Sequence, residues 1–104
     1  MNLDKLKSLM NHDERMVDQF LDIFRNEIPR QLDDLNNAIE NEDWRNASTI
    51  AHGIKSQVKY LDLSKIADMA YRIERNAENE SDLDYMFDDF DDLERALLDV
   101  LDEL

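Results

Sequence analysis

The sequence predicts an all-α protein, an antiparallel four-helix bundle with a short additional N-terminal helix. Three observations predict it. One glycine and one proline in 104 residues leave almost no turn chemistry for hairpins. Apolar residues recur every three or four positions along most of the chain, which is the helical period and not the alternating one. Short polar breaks separate the periodic stretches, so each helix must fold back on its predecessor. The length suits one domain over residues 1–104, built on a single core.

Each element follows from its own spacing. Leu3, Leu6, Leu9 and Met10 make a short opening helix over residues 2–10. Asn11 and His12 turn the chain, and Asp13 is the expected N-cap of the next helix. Val17, Phe20, Leu21, Phe24, Ile28, Leu32, Leu35 and Ile39 then form one apolar seam with Pro29 in its middle. Proline inside a helix costs ~3 kcal/mol, through a lost hydrogen bond and a steric clash. The seam keeps its phase across Pro29, so one kinked helix is predicted. Asn41-Glu42-Asp43 closes it, and Asp43 caps a central helix carrying Ala47, Ile50, Ala51, Ile54, Val58 and Leu61 on one arc. Leu61-Asp62-Leu63-Ser64 is the next break, with Ser64 as the expected cap of a helix bearing Ile66, Met69, Ala70, Ile73 and Ala77. Residues 79–82 form the last turn, capped by Ser81 or Asp82. The final helix presents Leu83, Phe87, Phe90, Leu93, Leu97, Val100, Leu101 and Leu104, with Asp84, Asp88, Asp89, Asp91 and Asp92 on its outer face.

Charge narrows the function. The net charge is -14, which disfavours nucleic acid and anionic membrane surfaces as partners. Residues 1–60 hold eight basic and eleven acidic side chains, whereas residues 61–104 hold four and fifteen. There is no cysteine, hence no thiolate nucleophile and no disulfide framework. Charges interrupt every apolar run near the N-terminus, which leaves no signal-peptide or membrane-span pattern and points to the cytoplasm.

One stretch stands apart. Between Asp43 and Asp62 lie eighteen residues without a carboxylate, and they carry Arg45, His52, Lys55 and Lys59. On a helical projection Arg45, Ser48, His52, Lys55, Ser56 and Lys59 share the arc opposite the apolar one. His52 is therefore expected on the wet face, with basic neighbours at +3 and +7. Imidazole is substantially neutral and nucleophilic near neutral pH. Such a residue is a candidate phosphoacceptor, with Lys55 one turn on as electrostatic support for the phosphoryl oxygens. Ser48, Ser56 and Lys59 border it as partner-docking positions. His12 lies in a turn away from any basic cluster and is expected to be inert. The two histidines have no i, i+4 relationship and no carboxylate partner assignable from the sequence, so no metal site is expected. Trp44 is expected to pack against the preceding helix. Gly53 reads as a tolerated mid-helix glycine. The acidic final helix leaves a second reading, an acidic interaction module or nucleic-acid mimic without phosphotransfer, which the acid-free central stretch argues against.

Ala51-His52-Gly53-Ile54-Lys55-Ser56, followed by Leu61, Ile66, Ala70, Ile73 and Glu74, resembles the histidine-containing phosphotransfer (HPt) domain of bacterial phosphorelays. That family's motif is roughly A-H-x-L-K-G, a glycine at +10, and an apolar helix ending in L-E. Phe20, Phe24, Ile28-Pro29, Leu32, Leu35, Ala38 and Glu42-Asp43-Trp44 extend the resemblance upstream, so that it covers about residues 13–75. It implies a phosphoryl carrier, not an enzyme. His52 would accept the group from one receiver-domain aspartate and pass it to another, and Lys55 would be the lysine of the motif. The receiver would supply Mg²⁺, the chain would need no cofactor of its own, and a monomer would suffice. Ser56 and Asp62 depart from the pattern, standing where the family carries glycines. The first bears on how closely a receiver can dock, the second only on the turn.

Overall fold

The computed structural model describes all residues, Met1–Leu104. Five α-helices follow one another: α1 (Asp4–Leu9), α2 (Glu14–Glu40), α3 (Trp44–Tyr60), α4 (Ser64–Asn79) and α5 (Met86–Glu103), with a 3₁₀ turn at Leu83–Tyr85 before the last. Helices α2, α3, α4 and α5 pack in a closed ring, each against its two neighbours, and α1 lies against α2 and α3. At ~1.5 Å per residue α2 alone runs ~40 Å, which accounts for the 42 Å long axis of the molecule. The 24 buried residues are all apolar and form one cluster.

The seam of α2 survives Pro29 as one uninterrupted helix, with Ile28 fully buried and the proline ring outside. Asp13 and Asp43 cap α2 and α3 as expected, accepting from Arg15 and Met16 and from Asn46 respectively. The turns achieve without glycine what glycine usually does. Glu42 (φ 54°) and Asp62 (φ 58°) both take the left-handed conformation after a helix end. Each lets the residue beyond it bond back into the helix, Asp43 N–H to Ala38 O at 2.8 Å and Leu63 N–H to Val58 O at 3.1 Å. These are the 6→1 bonds of the Schellman motif. Asp62 thus adopts the backbone that the family's second glycine would, with a short polar side chain that tolerates it.

Four expectations need correction. Ser64 is the first residue of α4 and not its cap; Leu63 holds the cap position without any side-chain bond. The Schellman turn explains this, because it draws the half-buried Leu63 back against the end of α3. Neither Ser81 nor Asp82 caps the last helix directly: Asp82 is left-handed (φ 52°), and the 3₁₀ turn intervenes before α5 starts at Met86. The stripe expected to run from Leu83 through Phe87 passes through Met86 instead of Phe87. Met86 is 1% exposed and Phe87 is 51% exposed, and Phe90, Leu93, Leu97 and Val100 continue the buried stripe. The acidic outer face is also less free than expected, since Asp89 turns inward to pair with Arg72 Nε of α4 at 3.0 Å.

Gly53 is helical, and outside its own helix a Cβ there would meet only Gln31 Nε2, at 3.8 Å, an ordinary contact. Gly53→Ala should therefore raise stability by about 1 kcal/mol through helix propensity. A urea titration that found the variant no more stable would mean that the glycine relieves a contact the backbone geometry does not reveal.

Candidate functional site

The site is set by how α3 and α4 meet. Ala47 and Ala51 on α3, and Ala67, Ala70 and Ala77 on α4, are all buried in the core. Small side chains at facing positions let two helices approach closely. Residues at the edges of the two buried stripes then reach across the join. His52 and Lys55 come from α3, Glu74 from α4.

The Glu74 carboxylate bridges the two α3 side chains. Its Oε2 lies 2.8 Å from His52 Nδ1 and its Oε1 lies 2.7 Å from Lys55 Nζ. Side-chain exposure is 59% for His52, 14% for Lys55 and 13% for Glu74. The imidazole stands in water on a base that is largely withdrawn from it. Tyr71, one turn before Glu74, places its ring 4.8 Å from Lys55 Nζ, so the ammonium is held between a carboxylate and an aromatic face. The Tyr71 hydroxyl in turn accepts from Arg75 Nη1 at 3.2 Å, and this bond raises the Arg75 pKa.

Burial alone would push the Glu74 carboxyl up, but the hydrogen bonds and charges of Lys55 and His52 outweigh it and hold the pKa below the ordinary 4.5. Glu74 is thus a carboxylate near neutral pH, and an ionised carboxylate can only accept. The hydrogen of the 2.8 Å contact therefore belongs to His52 Nδ1. In the neutral ring Nε2 then carries the lone pair. The arrangement fixes the tautomer of a histidine whose ring is exposed to solvent.

The structure separates the other residues singled out in the sequence. Lys55 is not on the wet face: its ammonium faces α4 and is engaged by Glu74, because position 55 lies at the border of the apolar arc and not opposite it. Ser56 donates its hydroxyl to the His52 carbonyl oxygen at 3.1 Å, within its own helix. Ser48 lines a hollow of about 440 Å³ beside His52, together with Trp44, Arg45, Thr49, Glu78 and others. Trp44 is half-buried against the core and also borders that hollow. Lys59 lies on the other side of His52, in a second hollow with Lys5, Leu9, Ser56 and Tyr60. His12 belongs to a third, with Lys7, Glu14 and Asp18.

Glu74 is the residue that the sequence reading left without a role, and it supplies the carboxylate partner that reading did not assign to His52. Only its place in the Ile73-Glu74 pair, the counterpart of the L-E that ends the HPt motif, marked it. Helical periodicity relates residues within a helix and says nothing of a contact across twenty-two positions.

Comparison with known families resolves what this arrangement belongs to. The family model of the Hpt domain matches residues 19–104. The chain belongs to the Hpt domain family. Hpt domains are histidine phosphotransfer domains of phosphorelays, phosphoryl carriers that interact with receiver domains. The match runs through α5, well beyond the residues that carry the resemblance in the sequence, and leaves α1 outside it. Comparison with curated proteins and comparison with solved structures gave no match. No helix is long and apolar enough to cross a membrane.

The lowered Glu74 pKa has a thermodynamic consequence with a definite sign. A carboxylate whose pKa falls on folding contributes stability above its unfolded value, and the contribution is lost as pH falls through the folded value. Glu74→Gln should therefore melt at a lower temperature than the parent at pH 7. The gap should close as the pH is lowered below about 4.5. Melts of the two forms from pH 7 to pH 3 measure this; a gap that persisted unchanged into acid would show that packing, and not charge, holds the bridge.

Proposed function

We propose that this Hpt domain relays a phosphoryl group between receiver-domain aspartates through Nε2 of His52. The observation that carries the reading is the 2.8 Å contact of Nδ1 with Glu74 beneath an exposed ring, which in the neutral imidazole leaves the lone pair on Nε2. In the forward step the Nε2 lone pair attacks phosphorus of an aspartyl phosphate. The Nε2–P bond forms, the P–O bond to the aspartate breaks, and the carboxylate leaves. The imidazole keeps its Nδ1 hydrogen and gains positive charge, which the adjacent Glu74 carboxylate stabilises. The return step on a second receiver reverses each of these changes.

Lys55 contributes electrostatically, and chiefly through Glu74: it keeps the carboxylate ionised and so keeps the histidine tautomer fixed. Ser48, Ser56 and Lys59 lie where a docked receiver would rest. Mg²⁺ belongs to the receiver and no cofactor to this chain, which acts as a monomeric cytoplasmic carrier and not as an enzyme.

His52→Gln should abolish labelling from a phosphorylated receiver while leaving the helical circular dichroism unchanged. The label on the parent should be lost in acid and survive base, as expected of a phosphoramidate. Labelling retained in the variant would rule out His52 as the acceptor.

Glu74 is a positioning residue, so its removal should slow transfer without abolishing it. Glu74→Ala should lose about tenfold in rate, equivalent to ~1.4 kcal/mol in the transition state. Nitrogen-15 spectra of the ring provide the independent readout: the parent should show hydrogen on Nδ1, and the variant a mixture of tautomers. A slowed variant whose ring kept the parental tautomer would assign Glu74 a different role.

A further inference from the structure

We infer that α1 is a partner-selecting element, which adds a basic and apolar shelf to the receiver-docking face beside His52. This rests on the reading of His52 as the relay histidine and extends it to the choice of receiver. The family match begins at residue 19 and leaves α1 outside the matched residues. The helix is nevertheless firmly attached. Leu6 is fully buried and Leu3 half-buried against the core, which fixes the helix by one face and turns Lys5 and Leu9 outward.

Those two residues meet the C-terminal half of α3. Lys5, Leu9, Ser56, Lys59 and Tyr60 line a shallow hollow of about 250 Å³. The hollow is continuous with the phosphoacceptor, since Ser56 is one turn from His52 and bonded to its carbonyl oxygen. Leu9 is 51% exposed and Tyr60 44% exposed, and the Tyr60 ring is steadied from beneath by Phe20, with centroids 5.5 Å apart. Neither Lys5 nor Lys59 is in an ion pair, on a protein of net charge -14. Asp62 and Asp68 line an adjoining hollow with the same two lysines and form no ion pair with either. On the other side of His52 the hollow is lined by Glu78 and Glu80 together with Arg45. The balance of charge therefore shifts from basic towards acidic across the histidine.

A receiver that fits this face carries acidic side chains and an apolar patch on the flank of its phosphoryl aspartate that comes to rest over α1. Receivers with a basic flank there are repelled by Lys5 and Lys59. Exposed charge pairs at a rim act mainly on encounter and selectivity and are screened by salt.

The test uses the full chain and a panel of receiver domains from the source organism, each loaded with acetyl phosphate. The receiver that labels the parent fastest serves as the probe. Lys5→Glu should raise its half-saturating concentration about fivefold at low ionic strength, with the limiting rate within about twofold of the parent. The effect should shrink to under about twofold in 0.5 M salt. Lys5→Arg should behave as the parent, and Leu9→Ser should raise half-saturation in a manner that salt does not relieve. Labelling of His52 by phosphoramidate, which needs no docking, reads the nucleophile alone and should be the same in all four forms. If Lys5→Glu and Leu9→Ser both saturate like the parent, α1 takes no part in docking and the inference is overturned. A loss of phosphoramidate labelling in the variants would overturn it too, because the damage would then lie in the site itself. If phosphoramidate labels the parent but no receiver does, the relay reading fails first and this inference falls with it.

Discussion

The Glu74 carboxylate is the point at which fold and chemistry meet. It crosses from α4 to α3, and without it the His52 ring would have no reason to prefer one tautomer and the Lys55 ammonium no anionic partner at 14% exposure. A half-buried carboxylate is tolerable only if it is paired and hydrogen-bonded. Here each oxygen has one partner from α3, three residues apart on the same helix face. The alanines that bring α3 and α4 together are thus part of the site's chemistry. A bulkier residue at Ala51 or Ala70, both fully buried, would separate the helices and lengthen both bonds at once.

The turns show how a chain with one glycine folds a tight bundle. Asn11, His12, Glu42, Asp62, Glu80 and Asp82 all hold positive φ. For residues with a Cβ this conformation carries a cost of the order of 1 kcal/mol each. It is offset by bonds that each turn closes, as between Ser81 N–H and Asn76 O at 3.0 Å. The apolar residue after the left-handed position adds to this, as Leu63 does behind Asp62. The same turn places α4 in register with α3, so that Glu74 arrives opposite His52. A departure from the family pattern at Asp62 is therefore harmless, because the backbone it must adopt is one that aspartate can reach.

Most of the fold was legible in the sequence because burial follows period. Val17 to Ile39 in α2, and Ala47, Ala51, Ile54 and Val58 in α3, fell where their spacing put them. Legibility failed at element ends, where two signals compete. At Ser64 a good capping residue lost to a Schellman turn, and after Leu83 a 3₁₀ turn moved the buried stripe from Phe87 to Met86. The site was half legible. His52 is exposed, as its arc required, but Lys55 sits at the edge of that arc and the side on which α4 would pack decided its fate. Glu74 could not be derived from spacing at all, since the contact depends on the crossing of two helices and not on the sequence of either.

The same bridge bears on how a carrier holds its cargo. Hydrolysis of a phosphorylated histidine by an activated water needs a general base with a free oxygen near phosphorus. The carboxylate in contact with His52 has one oxygen hydrogen-bonded to the ring and the other in an ion pair with Lys55. Its lowered pKa makes it a weak base as well as an occupied one. It also sits beneath the ring on the Nδ1 side, while the phosphoryl group would stand on Nε2. On the reading of His52 as the relay histidine, the carboxylate that orients the ring is in this way poorly placed to assist water.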